Sequence, residues 1–125
     1  MKASVFTLMF REVSLSAALA AVKRAFELSG TGLKPDASLW LKHEEKPVLD
    51  PADAASVRAV CKEYERAGMT ASVYFAHDFP RDAVSLELAR KHVDAAVAVG
   101  AWESLVLCPW PYRGGLGKFI PPQDY

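Results

Sequence analysis

The sequence lacks the features that announce several large protein classes. It has no charge excess, since 15 basic and 15 acidic residues cancel across its 125 positions. A chain without net charge has no electrostatic pull toward DNA, RNA or an anionic lipid surface, so neither nucleic acid nor membrane is expected as its partner. Cysteine is scarce, with only Cys61 and Cys108. They form neither a CxxC pair nor a Cys/His metal spacing, which points to a reduced, cytoplasmic setting and makes Cys61 a small buried hydrophobe. Long apolar runs are missing as well. The opening Met1–Phe10 is cut short by Arg11 and Glu12, with no clean cleavage site after them, so secretion is not expected. Nothing approaches the roughly 18 apolar residues of a membrane span. The length fits one domain over residues 1–125, able to bury roughly two thirds of its unfolded surface.

What the chain does have is a rhythm of apolar runs and amphipathic stretches. Thr70–Ala76 is β-branched, aromatic or small, without proline or charge, and reads as a strand buried on both faces. Ala3–Phe10, the short Ala37–Leu41 and Ser104–Cys108 read as three more. Between them lie helical patterns. Ser14 is placed to cap the first, with Leu15, Leu19, Val22 and Phe26 on one face and Gly30 at its end. Asp50-Pro51 with Asp53 signals the start of the second, whose Val57, Val60, Cys61 and Tyr64 form one stripe and which stops at Gly68. The third runs from about Asp82 to Val99, with Leu86, Ala89, Val93, Ala96 and Val97 expected on its buried side and Gly100 closing it. From about residue 109 the chain holds glycine and proline without a period and reads as an irregular tail.

The strands therefore begin roughly 33 residues apart with a helix in every gap, which is the βαβ rhythm of a parallel sheet. The expected fold class is α/β, a (βα)4 parallel sheet. Two completions fit it: a small open doubly wound domain, or half of an eight-stranded barrel. In either, chemistry collects at the carboxyl ends of the strands. His77 and Asp78 follow the third strand there, and Lys42–Lys46, with His43, follows the second. Five such polar residues in a row also suit a plain solvated loop.

Several segments resemble the sugar phosphate isomerase/epimerase family, whose fold is the xylose isomerase-like TIM barrel. They are Ser4–Arg11, Trp40–His43, Gly68–Phe75, and above all Ala95–Ala101 leading into Leu105–Trp110. The resemblance covers nearly the whole chain and implies the amino-terminal half of a barrel that normally takes about 250 residues. It also implies a divalent metal (Mn, Mg, Co or Zn) held by Glu, Asp and His side chains that lie mostly in the other half, outside this chain. The lead-in Thr31–Asp36 departs from the family's usual Gly-x-Asp-Gly-Val-Glu-Leu run, so the acidic residue that often marks the second strand cannot be placed in this sequence.

By that resemblance His77 stands at the mouth of the site, touching a substrate hydroxyl or a metal, and is the candidate catalytic residue. Its alternative is a histidine bonded within its own loop. Trp110 would stack on the apolar face of a sugar, or else simply pack. His43 matches His77 one strand earlier, and Glu12 stands at the rim beyond strand one. Cys108 has no base in view that would make it a nucleophile. Arg113–Lys118 has the glycines and lysine of a phosphate loop but not its GxxxxGK[ST] spacing. The resulting expectation is metal-assisted proton transfer on a small sugar, sugar phosphate or polyol, incomplete in this chain, with a homodimer closing the barrel. The alternative is a non-catalytic α/β binding module with an open parallel sheet.

Overall fold

The computed structural model describes residues 2–76, 82–101 and, through the backbone, 104–107. It is an α/β chain in the order β1 (Val5–Phe6), a 3-10 turn (Thr7–Phe10), α1 (Leu15–Ser29), β2 (Ala37–Trp40), β3 (Lys42–His43), β4 (Lys46–Pro47), α2 (Ala54–Ala67), β5 (Val73–Ala76), α3 (Ala83–Val99) and β6 (Ser104–Leu107). The main sheet runs β1-β2-β5-β6, all parallel, and β3 pairs with β4 as an antiparallel hairpin.

All three helices of the described residues share one face of that sheet. Leu15, Leu19 and Val22 of α1, Val60 and Tyr64 of α2, and Ala95, Ala96 and Val99 of α3 form one core cluster with Ala37, Leu39, Tyr74 and Ala76. Side chains alternate along a strand, so Leu39, Tyr74 and Ala76 point to the helices while Trp40, Val73 and Phe75 point away. The register, Leu39 beside Tyr74 and Trp40 beside Phe75, keeps each set on its own side. The strands lie in sequence order and neighbouring helices pack in the same order, α1 on α2 and α2 on α3.

Capping fixes the helix limits much as expected. Ser14 accepts the Ala17 N–H at 3.2 Å. Asp82 and Ser85 form a reciprocal capping box that starts α3. Gly68 ends α2 with φ of +64° while the Met69 N–H reaches the Tyr64 carbonyl, a left-handed exit that a side chain would strain.

Four expectations need correction. Helix α2 begins at Ala54, not beside Pro51. Asp53 caps it through the Ala55 N–H at 2.9 Å, while Asp50 closes a turn of its own on the Ala52 N–H at 2.8 Å. The charged run 42–46 is not a plain loop but the β3–β4 hairpin, with Glu44 and Glu45 both left-handed at its tip (φ 49° and 60°). The first strand is two residues rather than eight. The Trp40 N–H that would have prolonged the ladder donates instead to the Thr7 hydroxyl at 2.9 Å, and the chain turns into the 3-10 segment. Finally, α3 buries Ala89, His92, Ala96 and Val99, whereas Leu86, Val93 and Val97 are exposed. Residues 108–125, where the irregular tail was expected, lie outside the described residues.

Candidate functional site

The carboxyl ends of β1, β2 and β5 bring three aromatic rings together. Phe6 and Trp40 meet edge to face at 5.7 Å between centroids, and Phe75 leans on both, at 5.4 Å from Phe6 and 5.9 Å from Trp40. Such offset and edge contacts suit the ring quadrupoles and hold the three as a half-buried plate on the face away from the helices. The alternation that sends Leu39 and Tyr74 into the core is what delivers these rings to the other side.

Beside the plate lies a pocket of about 430 Å³, in the size range of small-molecule sites. Trp40 and Phe75 form one wall, and the segment Pro47–Pro51 with Leu41 a second. Leu88 and His92 of α3 complete it, with Lys42 and Asp50 as its charged groups. Across Trp40 a smaller recess, about 140 Å³, is bounded by Leu8, Arg11, Lys42 and Glu45. Lys42 donates to Glu45 at 2.7 Å, and that contact, with the Arg11 charge adding to it, holds the Glu45 carboxyl below the usual carboxylate range.

His92 is nearly fully buried, and its Nδ1 is 2.8 Å from the phenol of Tyr74, itself wholly inaccessible. Both rings belong to the interface of α3 with β5, and Tyr74 also meets the imidazole edge to face at 5.8 Å. A polar pair in this position is tolerated because each partner satisfies the other.

Of the residues singled out from sequence, His43 is a buried tie rather than a substrate contact. It is 2 % exposed. Its Nδ1 is 2.9 Å from the Val13 carbonyl, which can only accept, so Nδ1 carries the proton. Nε2 then accepts from the Thr7 hydroxyl at 3.3 Å, and Thr7 in turn accepts the Trp40 N–H. Both ring nitrogens are thereby used inside the fold. Glu12 is exposed and takes a hydrogen bond from the Arg11 guanidinium at 3.0 Å. His77 and Trp110 lie outside the described residues, as do Cys108 and Arg113–Lys118. Among the described residues no three His, Cys, Asp or Glu side chains converge as metal ligands; the resemblance places the ligands of its divalent ion mostly outside this chain. No helix among them is long and apolar enough to cross a membrane.

Trp40, Phe75 and His92 were not singled out as site residues by the sequence. The strand pair Trp40 and Phe75 was detectable, since each is the outward residue of an alternating run. His92 was detectable as one of Ala89, His92, Ala96 and Val99, spaced 3, 4 and 3 along one helix face. Comparison with protein-family models, with curated proteins and with solved structures gives no match in any of the three.

Proposed function

We propose that the chain is one half of a (βα)8-type barrel of the isomerase/epimerase kind, and that the carboxyl ends of its strands bind a small sugar or polyol. The observation that carries this reading is the sequential strand order with every described helix on one face. A doubly wound domain needs an order reversal, at which its ligand crevice opens, and these four strands have none. In a barrel half the other face becomes the interior, so the plate of Phe6, Trp40 and Phe75 would line the mouth, where barrel enzymes hold their substrates. Aromatic faces bind the C–H face of a sugar while nearby polar groups take its hydroxyls.

In enzymes of this kind a divalent ion polarises a carbonyl while a carboxylate or histidine moves a proton on the adjacent carbon. The share proposed for this chain is the substrate wall, with His77 after β5 and Trp110 after β6 extending it in sequence. A second copy would close the barrel by joining edges β1 and β6, an arrangement that leaves no strand unpaired. One observation favours the second reading, a non-catalytic open-sheet binding module: β1 is only two residues long, and very short edge strands are how open sheets avoid pairing with other chains.

Mass by light scattering, with and without Mn²⁺, separates the two. A dimer tightened by Mn²⁺ supports the barrel half. A monomer indifferent to the ion moves the assignment to the binding module. Tryptophan fluorescence titrated with neutral aldoses and polyols tests the shared element, and Trp40→Leu is expected to weaken binding at least tenfold.

A further inference from the structure

We infer that the pocket between Trp40, Phe75 and α3 takes an apolar ring, and that the ligand of this end of the sheet is a sugar carrying one, a glycoside of an aromatic or alicyclic alcohol. The sugar half of that statement rests on the proposed function, and the choice of an apolar ring for the pocket stands without it.

The first observation is what the walls are made of. Trp40 and Phe75 line the pocket from the sheet, Leu41, Leu49 and Pro51 from the segment beyond β2, and Leu88 from α3. Leu49 is buried and the other five are half-buried, which leaves apolar surface in contact with water. Covering such surface with another apolar group is favourable in proportion to the area removed from water. Among the described residues that line the pocket none carries a hydroxyl or a carboxamide, the neutral groups that fix hydroxylated ligands. Its polar side chains are already engaged within the chain. Lys42 Nζ donates to Glu45 at 2.7 Å, Asp50 Oδ1 accepts the Ala52 N–H at 2.8 Å, and His92 Nδ1 is 2.8 Å from the Tyr74 phenol. A fully hydroxylated ring pushed between leucine and proline gives up its water without a partner for each hydroxyl, and that loss is unfavourable.

The second observation is that the cavity is held open. Phe6 braces the rings of Trp40 and Phe75, at 5.7 and 5.4 Å between centroids. The facing segment is tied at two points, since the Val48 N–H donates to the Leu41 carbonyl at 2.9 Å and the Asp50 N–H to the Ser56 hydroxyl at 2.9 Å. Pro47 and Pro51 fix their own φ angles and stiffen it further. A cavity formed in advance binds an apolar group without the ordering cost that a collapsed one incurs. Pocket and plate share Trp40 and Phe75, so one ligand can occupy both through a single glycosidic bond.

The test is an NMR titration of the full chain that follows the methyl signals of Leu41, Leu49 and Leu88 with two matched pairs of probes. Cyclohexanol and myo-inositol share a carbon ring and differ in carrying a single hydroxyl or one on every carbon. Phenyl and methyl β-D-glucoside share the sugar and differ in the attached group. Cyclohexanol is expected to move the leucine methyls where myo-inositol does not, and phenyl glucoside to bind at least about tenfold more tightly than methyl glucoside. Leu88→Gln, which puts a polar group of similar length on the wall, should cut that preference to about threefold or less. Leu88→Phe, which fills the pocket and keeps it apolar, should abolish the cyclohexanol shifts at Leu41 and Leu49. If neither variant folds, the matched probes on the unaltered chain still decide. Equal binding of the two glucosides, or leucine shifts with myo-inositol as large as those with cyclohexanol, overturns the apolar pocket and leaves the sugar reading standing. Leucine shifts with cyclohexanol but no binding of either glucoside support the apolar pocket and overturn the sugar reading. No response to any of the four probes overturns both.

Discussion

The two ends of the sheet are built on opposite plans. At the amino ends of β2 and β5, Asp36 is 9 % exposed and gathers its neighbours. It accepts from the Thr70 hydroxyl at 2.6 Å, the Ser72 hydroxyl at 2.7 Å and the Ser72 N–H at 3.1 Å. The Tyr64 phenol donates to the Ala37 carbonyl at 2.8 Å, and burial pushes that phenol well above its ordinary value, with the Asp36 charge adding to the effect. At the carboxyl ends the side chains are half-buried rings around a pocket, with few polar groups and those on its walls. Carboxylate and hydroxyls lock one end, and aromatic surface is presented at the other. Under the proposed reading, stability and ligand binding then lie at opposite ends of the sheet, so each can be altered separately.

The sharpest way to break the contrast is Asp36→Ala, which strips the acceptor from two hydroxyls and a backbone N–H at once. A loss of about 3 kcal/mol of unfolding free energy is expected in chemical denaturation, with the proposed sugar binding unchanged in the protein that remains folded. Next comes Thr7→Val, which cuts the relay from the Trp40 N–H through Thr7 to His43. About 2 kcal/mol should be lost, and here affinity should fall too, because the backbone of Trp40 is no longer fixed. Tyr64→Phe removes one buried bond at the amino end, and about 1 kcal/mol is expected with no effect on ligand.

The smallest effect is a pH dependence at the start of α3. Hydrogen bonds from the Ser85 N–H and hydroxyl hold the Asp82 carboxyl below its usual value. A depressed carboxyl contributes stability that is fully present above its unfolded value, about pH 4, and is lost as pH falls through the lower folded value. Faster hydrogen exchange at Ser85 is therefore expected only in that acid range, and Asp82→Ala should make it fast at every pH.

The same contrast explains what was legible in the sequence. Helix starts and stops were, because Ser14, Asp82, Gly30, Gly68 and Gly100 act through their own immediate backbone. The strand rhythm was, because hydrophobic alternation is a local pattern. What depends on a distant partner was not. Strand β1 ends early because the Thr7 side chain replaces a backbone acceptor for Trp40, a contact 33 residues away. The buried face of α3 includes a histidine because Tyr74 is there to bond it, and a polarity pattern places such a residue outside. Two acids, Asp50 and Asp53, both suit a cap, and only the turn between them decides which begins α2. The Glu44–Glu45 tip carries none of the glycine or asparagine that usually marks a left-handed turn. For the site the sequence pointed to the carboxyl ends of the strands, and its strongest expectations, His77 and Trp110, fall outside the described residues.

The in-order sheet also bears on how such a chain assembles. Each strand's first partner is the strand one helix earlier, and each helix's first partner is the preceding helix. During synthesis, every unit that emerges finds its docking surface already made, and no strand has to wait for a later one to slip in beside it. Folding can therefore keep pace with translation, with β1, β2 and α1 as the template onto which the rest is laid.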